Sequence, residues 1–333
     1  MRTLGSTFGI LLAGTALAGP PDDVPIVQLP VVVDVTGVGG ARFTSDLTLV
    51  NLGGVGSPLE LTFYPADAPE KFVSVTTEDD VAAGTRFHVP DVLSAMRSLG
   101  AELPEAGSNL VGTLFARLVS LPPGDPAPFV GSRISTPQKA REDGTGEGSF
   151  GTFALGVPVG SASEVAASVY GLRENASFRS NLAIAHAGGG QNGPIDVRVT
   201  VYDGLTGAPA GEPLSVHLEP RQWTQVSSVL AGFGLENGWA RLQLTSGNDR
   251  FIAYAVVNDG GREGGGTSDG SWIDTGVTEG TLPIILSSGK YKTELVLTND
   301  SPLEQTVNLY YTSADALQAT KITSSGRVVM APR

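Results

Sequence analysis

Apolar and polar residues alternate strictly over several short stretches of this chain. Leu59, Leu61 and Phe63 enclose Glu60 and Thr62; Val197, Val199 and Val201 enclose Arg198 and Thr200; Val307, Leu309 and Tyr311 have Asn308 among them. A period of two predicts half-buried antiparallel strands with one face on a core and the other toward water. Ahead of each run stands the same phrase: Phe43-Thr44-Ser45-Asp46-Leu47, Phe178-Arg179-Ser180-Asn181-Leu182 and Tyr291-Lys292-Thr293-Glu294-Leu295. Each phrase leads to a turn position, at Asn51, His186 and Asn299 respectively. The chain is therefore read as a repeat protein.

Further strands follow in the first two copies, with a short connector between them. Val89-Pro90-Asp91-Val92-Leu93 and Val226-Ser227-Ser228-Val229-Leu230 predict a brief helix, capped by Asp91 in one copy and by Ser227 or Ser228 in the other. Gly100 in the first copy, and Gly232 or Gly234 in the second, are placed to end it. An Ala-Arg-Leu strand comes next, Ala116-Arg117-Leu118 and Ala240-Arg241-Leu242, and then one more strand. With introductory strands at 29–35, 165–172 and 282–286, each unit holds about seven strands. Short strands between Gly, Pro, Asn and Asp turns predict an all-β fold of tandem immunoglobulin-like antiparallel β-sandwiches. The expected division is a signal peptide at 1–24, a first sandwich at 25–155, a second at 156–279 and a partial third at 280–333.

Composition narrows the classes of function. The net charge of -13 argues against nucleic acid, which needs clustered Lys and Arg, whereas the arginines here are scattered singly. Cysteine is absent, which excludes disulfides, thiolate metal sites and a cysteine nucleophile. At the start, Arg2, an apolar stretch over 4–17, Ala16 and Ala18, and then Asp22-Asp23 read as a signal peptide for export. The alternative is the tail of a preceding repeat, because Gly5-Ser6-Thr7-Phe8-Gly9 echoes Gly148-Ser149-Phe150-Gly151. The apolar stretch is too short and too rich in Gly and Thr for a spanning helix, so no membrane span beyond the signal peptide is expected.

Chemistry-bearing residues are few. His186 occupies a position filled by Asn in the other copies, which makes it a turn residue. His88 and His217 fall on outward strand positions without triad partners in sequence. Gly266-Thr267-Ser268-Asp269-Gly270 matches a nucleophile elbow by letters, but no helix-forming run follows Ser268, and a serine hydrolase is the weakest reading. Asp259, Glu263, Asp269 and Asp274 fall in one acidic loop and are the candidate calcium ligands, against a simpler reading as a solvated loop. Trp239 aligns with Phe115 and is assigned to the core. Trp223 aligns with Arg86 on a face expected to meet water, and Trp272 ends the glycine-rich loop; these two are the candidate ligand-binding residues.

The chain resembles an uncharacterised class of tandem repeats in exported bacterial proteins, often found beside secreted peptidases. The likeness runs through Pro30-Val31-Val32-Val33, the first phrase, Ser132-Arg133, Gly151-Thr152-Phe153, the second phrase, Val199-Thr200-Val201-Tyr202-Asp203 and Phe251 to Asp259. It implies β-sandwich folding, export and alternating unit types, and it carries no catalytic residues. Gly326 to Pro332 parallels Gly84 to Pro90, so the third unit is expected to stop before its short helix, either as a fragment or completed by another strand. The expected function is a non-enzymatic spacer or interaction module at the cell surface. The second reading is an accessory module binding polysaccharide or protein.

Overall fold

The introductory strand of the first unit, β1 (Val27–Thr36), is buried on both faces from Val27 through Asp34. Strict alternation would put Leu29, Val31 and Val33 on one side and Val32 on the other. The strand instead carries a β-bulge between Leu29 and Val32, where its register against β7 (Leu110–Leu118) shifts. Val27, Leu29 and Val32 enter the core of the first unit. Val31 and Val33 enter a second apolar layer on the opposite side. Pro30 sits within the bulge, where a residue without an N–H costs no ladder bond.

These elements belong to a computed structural model that describes residues 25–37, 40–137, 148–188, 192–259, 268–271, 287–288, 291–293, 295, 297, 299, 301, 303–311 and 324–330. The first unit continues with β2 (Arg42–Ser45), β3 (Leu47–Val50), β4 (Ser57–Pro65), β5 (Val73–Val81) and β6 (Arg86–Val89). After β6 come helix α1 (Val92–Ser98), then β7, β8 (Phe129–Pro137), β9 (Ser149–Leu155) and β10 (Val157–Pro158). One layer runs β5-β4-β7-β1, and the other runs β6-β3-β8-β9 with β2 extending β3 along β8. Leu59, Leu61 and Phe63 of the first layer meet Leu47, Leu49 and Val130 of the second in one buried cluster.

The second unit contains β11 (Ala166–Arg173), β12 (Arg179–His186), β13 (Ile195–Asp203), β14 (Leu214–Leu218), β15 (Trp223–Val226), β16 (Asn237–Ser246), β17 (Phe251–Asn258) and β18 (Ser268–Ser271). Its sheets run β14-β13-β16-β11 and β15-β12-β17-β18, the same order strand for strand. The all-β fold with antiparallel sheets is thus observed. Counting β2 and β3 as one strand, each unit keeps two pairings of an immunoglobulin constant domain, second with fifth and third with sixth. It differs in placing the first strand beside the sixth and the seventh beside the second.

The recurring phrase owes its hydroxyl to the buried edge of β1 and β11. The Ser45 hydroxyl accepts a hydrogen bond from the Val33 N–H at 2.8 Å, and the Ser180 hydroxyl accepts from the Arg173 N–H at 2.7 Å. Both serines are fully buried. Next to these donors stand the buried carboxylates of Asp34 and Glu174. Burial opposes the charge on Asp34, but the Gly107 N–H, Arg42 and Arg97 together hold its carboxyl below the ordinary value.

Two expectations for the second unit are corrected. Tyr64 lies opposite Thr113 whereas Tyr202 lies opposite Trp239, and glycine at 112 and 238 lets each strand pass the Tyr64 or Tyr202 carbonyl. Trp239 therefore corresponds to Thr113, not Phe115, and the two Ala-Arg-Leu segments are offset by one pleat. Trp239 is nonetheless buried as expected, stacked on Tyr202 with ring centres 4.1 Å apart. The helix of the first unit is capped by Asp91 as expected, but in the second unit only a single 3-10 turn, Ala231–Phe233, forms. Ser228 does not cap it; that residue takes a left-handed backbone and gives its N–H to the Asn181 side chain.

In the third unit, β19 (Ser287–Ser288) pairs with β20 (Tyr291–Lys292), and β21 (Gln305–Tyr311) pairs with β22 (Ser324–Met330). Asn299 donates to the Leu303 and Met330 carbonyls, as Asn51 donates to those of Val55 and Val81. Gln305 opposite Met330 then matches Ser57 opposite Val81, so β22 is the counterpart of β5 and not of β6. The expected introductory strand at 282–286 lies outside the described residues.

Replacing Ser45 or Ser180 by Ala removes a buried acceptor and lowers the unfolding free energy by about 1–3 kcal/mol. Ser215→Ala, at an exposed position of β14, stays within about 0.5 kcal/mol. Urea unfolding of the three variants checks both values.

Candidate functional site

Among the described residues, the most elaborate constellation of side chains lies where the first and second units meet. The outward residues of β1, Val31 and Val33, pack with Ala154 of β9 and with Ala183 and Tyr254 of the second unit. Val35, Phe43, Val111, Ile134, Trp223 and Val256 close the rim of this layer. Before its bulge β1 points Gln28 the same way, and the fully buried Gln28 amide donates to the His186 carbonyl at 3.0 Å.

A turn from the second unit supplies the rest. Glu219-Pro220-Arg221-Gln222 joins β14 to β15, closed by the Gln222 N–H on the Glu219 carbonyl at 3.0 Å. Arg221 adopts φ 66°, a conformation that disfavours side chains by roughly 1–2 kcal/mol. The equivalent turn of the first unit uses Gly84 at φ 70°, the residue such a turn ordinarily demands. Arg221 offsets that cost by reaching into the first unit. Its guanidinium lies 4.7 Å from the Tyr64 ring centre and 5.7 Å from that of Phe115, and donates to the Tyr64 hydroxyl. The Thr113 hydroxyl donates to the Arg221 carbonyl at 3.0 Å, and the Gln222 amide to the Ala66 carbonyl at 3.2 Å. Burial pushes the Tyr64 phenol up, against the neighbouring guanidinium, which lowers it.

Trp223 belongs to this joint. It was expected to face water, but it is half-buried in the inter-unit layer and donates its indole N–H to the Tyr254 hydroxyl at 3.0 Å. The outer face of β15 is covered because the first unit packs there. Trp272 lies outside the described residues, as do Glu263 and Asp274. Asp259 is exposed just beyond β17, and Asp269 lies in strand β18 opposite Val257, not in a loop. Among the described residues, no group of three or more His, Asp or Glu is arranged to hold a metal ion. Ser268 opens β18, paired with Asn258, so it does not occupy the strand-to-helix turn of a nucleophile elbow.

The histidines divide by environment. His186 reproduces the turn made by Asn51: its Nδ1 accepts from the Gly188 N–H as Asn51 Oδ1 accepts from Gly53, and its Nε2 donates to the Gly193 carbonyl. His88 is exposed against Thr48 and the Leu47 carbonyl. His217 is exposed and meets Asp196, directly opposite it on β13, at 2.7 Å. Its hydrogen bonds to Asp196 and Glu219 raise its pKa above the ordinary histidine value. A cross-strand carboxylate of this kind is invisible until the register of β13 and β14 is known. The bridging role of Arg221 had a signal in the sequence: aligning Arg86 with Trp223 sets an arginine where the other unit has a turn glycine.

Among the described residues no helix is long and apolar enough to cross a membrane. Neither protein-family models, curated proteins nor solved structures provide a match to this chain.

Replacing Arg221 by Gly installs the residue that the first unit already uses, so the backbone is retained and the bridge to Tyr64 is lost. Gln28→Ala costs about 1–2 kcal/mol, and Arg221→Gly costs less, because it also relieves the left-handed backbone. Calorimetry of the native chain is expected to show the first and second units melting together, and the double variant to resolve them into separate transitions.

Proposed function

We propose that this chain is a non-catalytic, exported structural module in which paired β-sandwiches act as a spacer, holding their loops or an attached partner at a fixed separation. The observation that carries the reading is the joint: a buried apolar layer, a buried amide bond and an arginine laid over the aromatic side chains of the neighbouring unit. Units joined only by a flexible tether need none of these contacts. Export rests on the leader-like segment at 1–24 and on the resemblance to exported repeat proteins. The net charge of -13 favours solubility outside the cell and disfavours anionic partners such as nucleic acid.

A second reading, an accessory module that binds polysaccharide or protein, has one specific observation in its favour. Phe129 and Phe153 are exposed and flank Gly131 on the outer face of β8 and β9, where a Cβ on Gly131 would collide with the Phe153 ring at 2.3 Å. Two exposed aromatic rings beside a glycine on a sheet face offer an apolar platform to a ligand. Under this reading the ligand-binding aromatics are these two in place of Trp223, whose ring is engaged in the joint.

Small-angle scattering of the full chain tests the spacer. A profile fitted by one separation of the first and second units, unchanged by added salt, is expected; one that needs a broad range of separations overturns it. On cell-wall polysaccharide columns, retention that Phe153→Ala abolishes establishes the binding reading, and passage of the native protein in the void volume rejects it for those ligands.

A further inference from the structure

We propose that His186 makes the joint between the first two units acid-sensitive, so that mild acidification releases the second unit from the first. The proposal rests on the spacer reading, because it concerns the contact that fixes the spacing.

The geometry requires a neutral imidazole. The ring is fully buried, its Nδ1 accepts the Gly188 N–H at 3.2 Å, and its Nε2 donates to the Gly193 carbonyl at 3.2 Å. A second proton has only Nδ1 to occupy, where it meets the Gly188 N–H head-on, so the ring cannot be protonated without opening the turn. Asn51 and Asn299 build the equivalent turns with an amide that does not titrate in this range, accepting from Gly53 and Ser301. Of the three turns, only the one at the joint is built on a titratable side chain.

The backbone of the same residue carries contacts of the joint. The His186 carbonyl receives the Gln28 amide of the first unit, and its N–H is bound at 2.8 Å by the carbonyl of Gln222, whose side chain reaches Ala66. Opening the turn therefore displaces the anchor of Gln28 and the support of the Arg221 turn together. Charged groups approach the ring from two elements. Asp249, in the β16–β17 turn, lies 3.7 Å from Nε2 and attracts an imidazolium, while Arg221, in the β14–β15 turn, repels it. Gly188 makes room for the Asp249 carboxylate, since a Cβ there would lie 1.7 Å from its Cγ. Arg250 beside it is committed to Glu164 and to the carbonyls of Gly160 and Ala162.

The balance of these groups favours the neutral ring. Burial, aided by Arg221, holds the His186 pKa below the ordinary histidine value against the opposing pull of the Gly193 carbonyl and Asp249. The unfolded chain takes up this proton near pH ~6.5 and the folded chain only below that. The contribution of His186 is thus fully present above pH ~6.5 and is lost progressively as pH falls toward the lower folded value.

Because the chain has no cysteine, a single pair can be introduced at exposed sites, Glu78→Cys in β5 and Ser215→Cys in β14, and spin-labelled. The inter-label distance distribution is measured on the full chain at about pH 8 and about pH 5, with and without His186→Asn. Narrow distributions at the higher pH that broaden at the lower pH, in the native chain but not in His186→Asn, are expected. A native distribution that stays narrow at the lower pH overturns the acid release and leaves the fixed joint standing. Equal broadening in both proteins overturns it too, since the titrating group is then elsewhere. Distributions already broad at the higher pH overturn the spacer reading itself. Independently of any variant, nitrogen NMR of His186 should report the neutral, Nε2-protonated ring as long as the joint is closed; an imidazolium within a closed joint contradicts the proposal.

Discussion

One bulge in one strand governs how this protein is put together. With Leu29 and Val32 both turned into the first core, β1 changes phase midway, and its remaining side chains are free to serve a second apolar layer. A regular strand would direct Val31 and Val33 into the same core as Leu29 and leave its outer face without them. The bulge recurs in β11 between Val169 and Leu172, where it turns Tyr170 outward toward Trp239. The device is thus a property of the unit, and what differs between units is the partner that the outward side chains meet.

That difference is concentrated at a few positions. Gly84 and Arg221 occupy the same left-handed turn position, but only the arginine reaches a neighbour. Asn51 and His186 make the same turn bonds, but only the histidine lies where its carbonyl can receive Gln28. Two otherwise similar sandwiches become a directional pair, one presenting an aromatic face and the other inserting a turn into it. Strand order and core are shared, and the contacts that distinguish the units cluster at the surface between them.

Much of the architecture was legible because the repeated phrase indexes each copy. It located the turn residues correctly, including His186, and the cap at Asp91. Register was less legible, since alternation with period two is unchanged by a slip of one pleat. The shared letters of Ala-Arg-Leu therefore suggested Phe115 as the partner of Trp239, although the glycines at 112 and 238 mark the true correspondence. In the third unit, Gly326 resembled Gly84, yet the bond from Asn299 to Met330 identifies a different strand. Trp223 was placed correctly opposite Arg86 and still misread, because no local pattern reveals that another unit covers an outward face. The aromatic pair of Phe129 and Phe153 escaped notice for the same reason, since exposure depends on which strands become neighbours.

The central claim is that β1 and the Arg221 turn bind the first and second units into one body. Residual dipolar couplings measured on backbone amides of both units in a weakly aligned sample test it most directly. The account predicts that 25–137 and 163–258 report a single alignment tensor, equal in magnitude and orientation within the frame of this structure. Tensors that differ in magnitude between the two units would mean that they reorient independently, and would contradict the account.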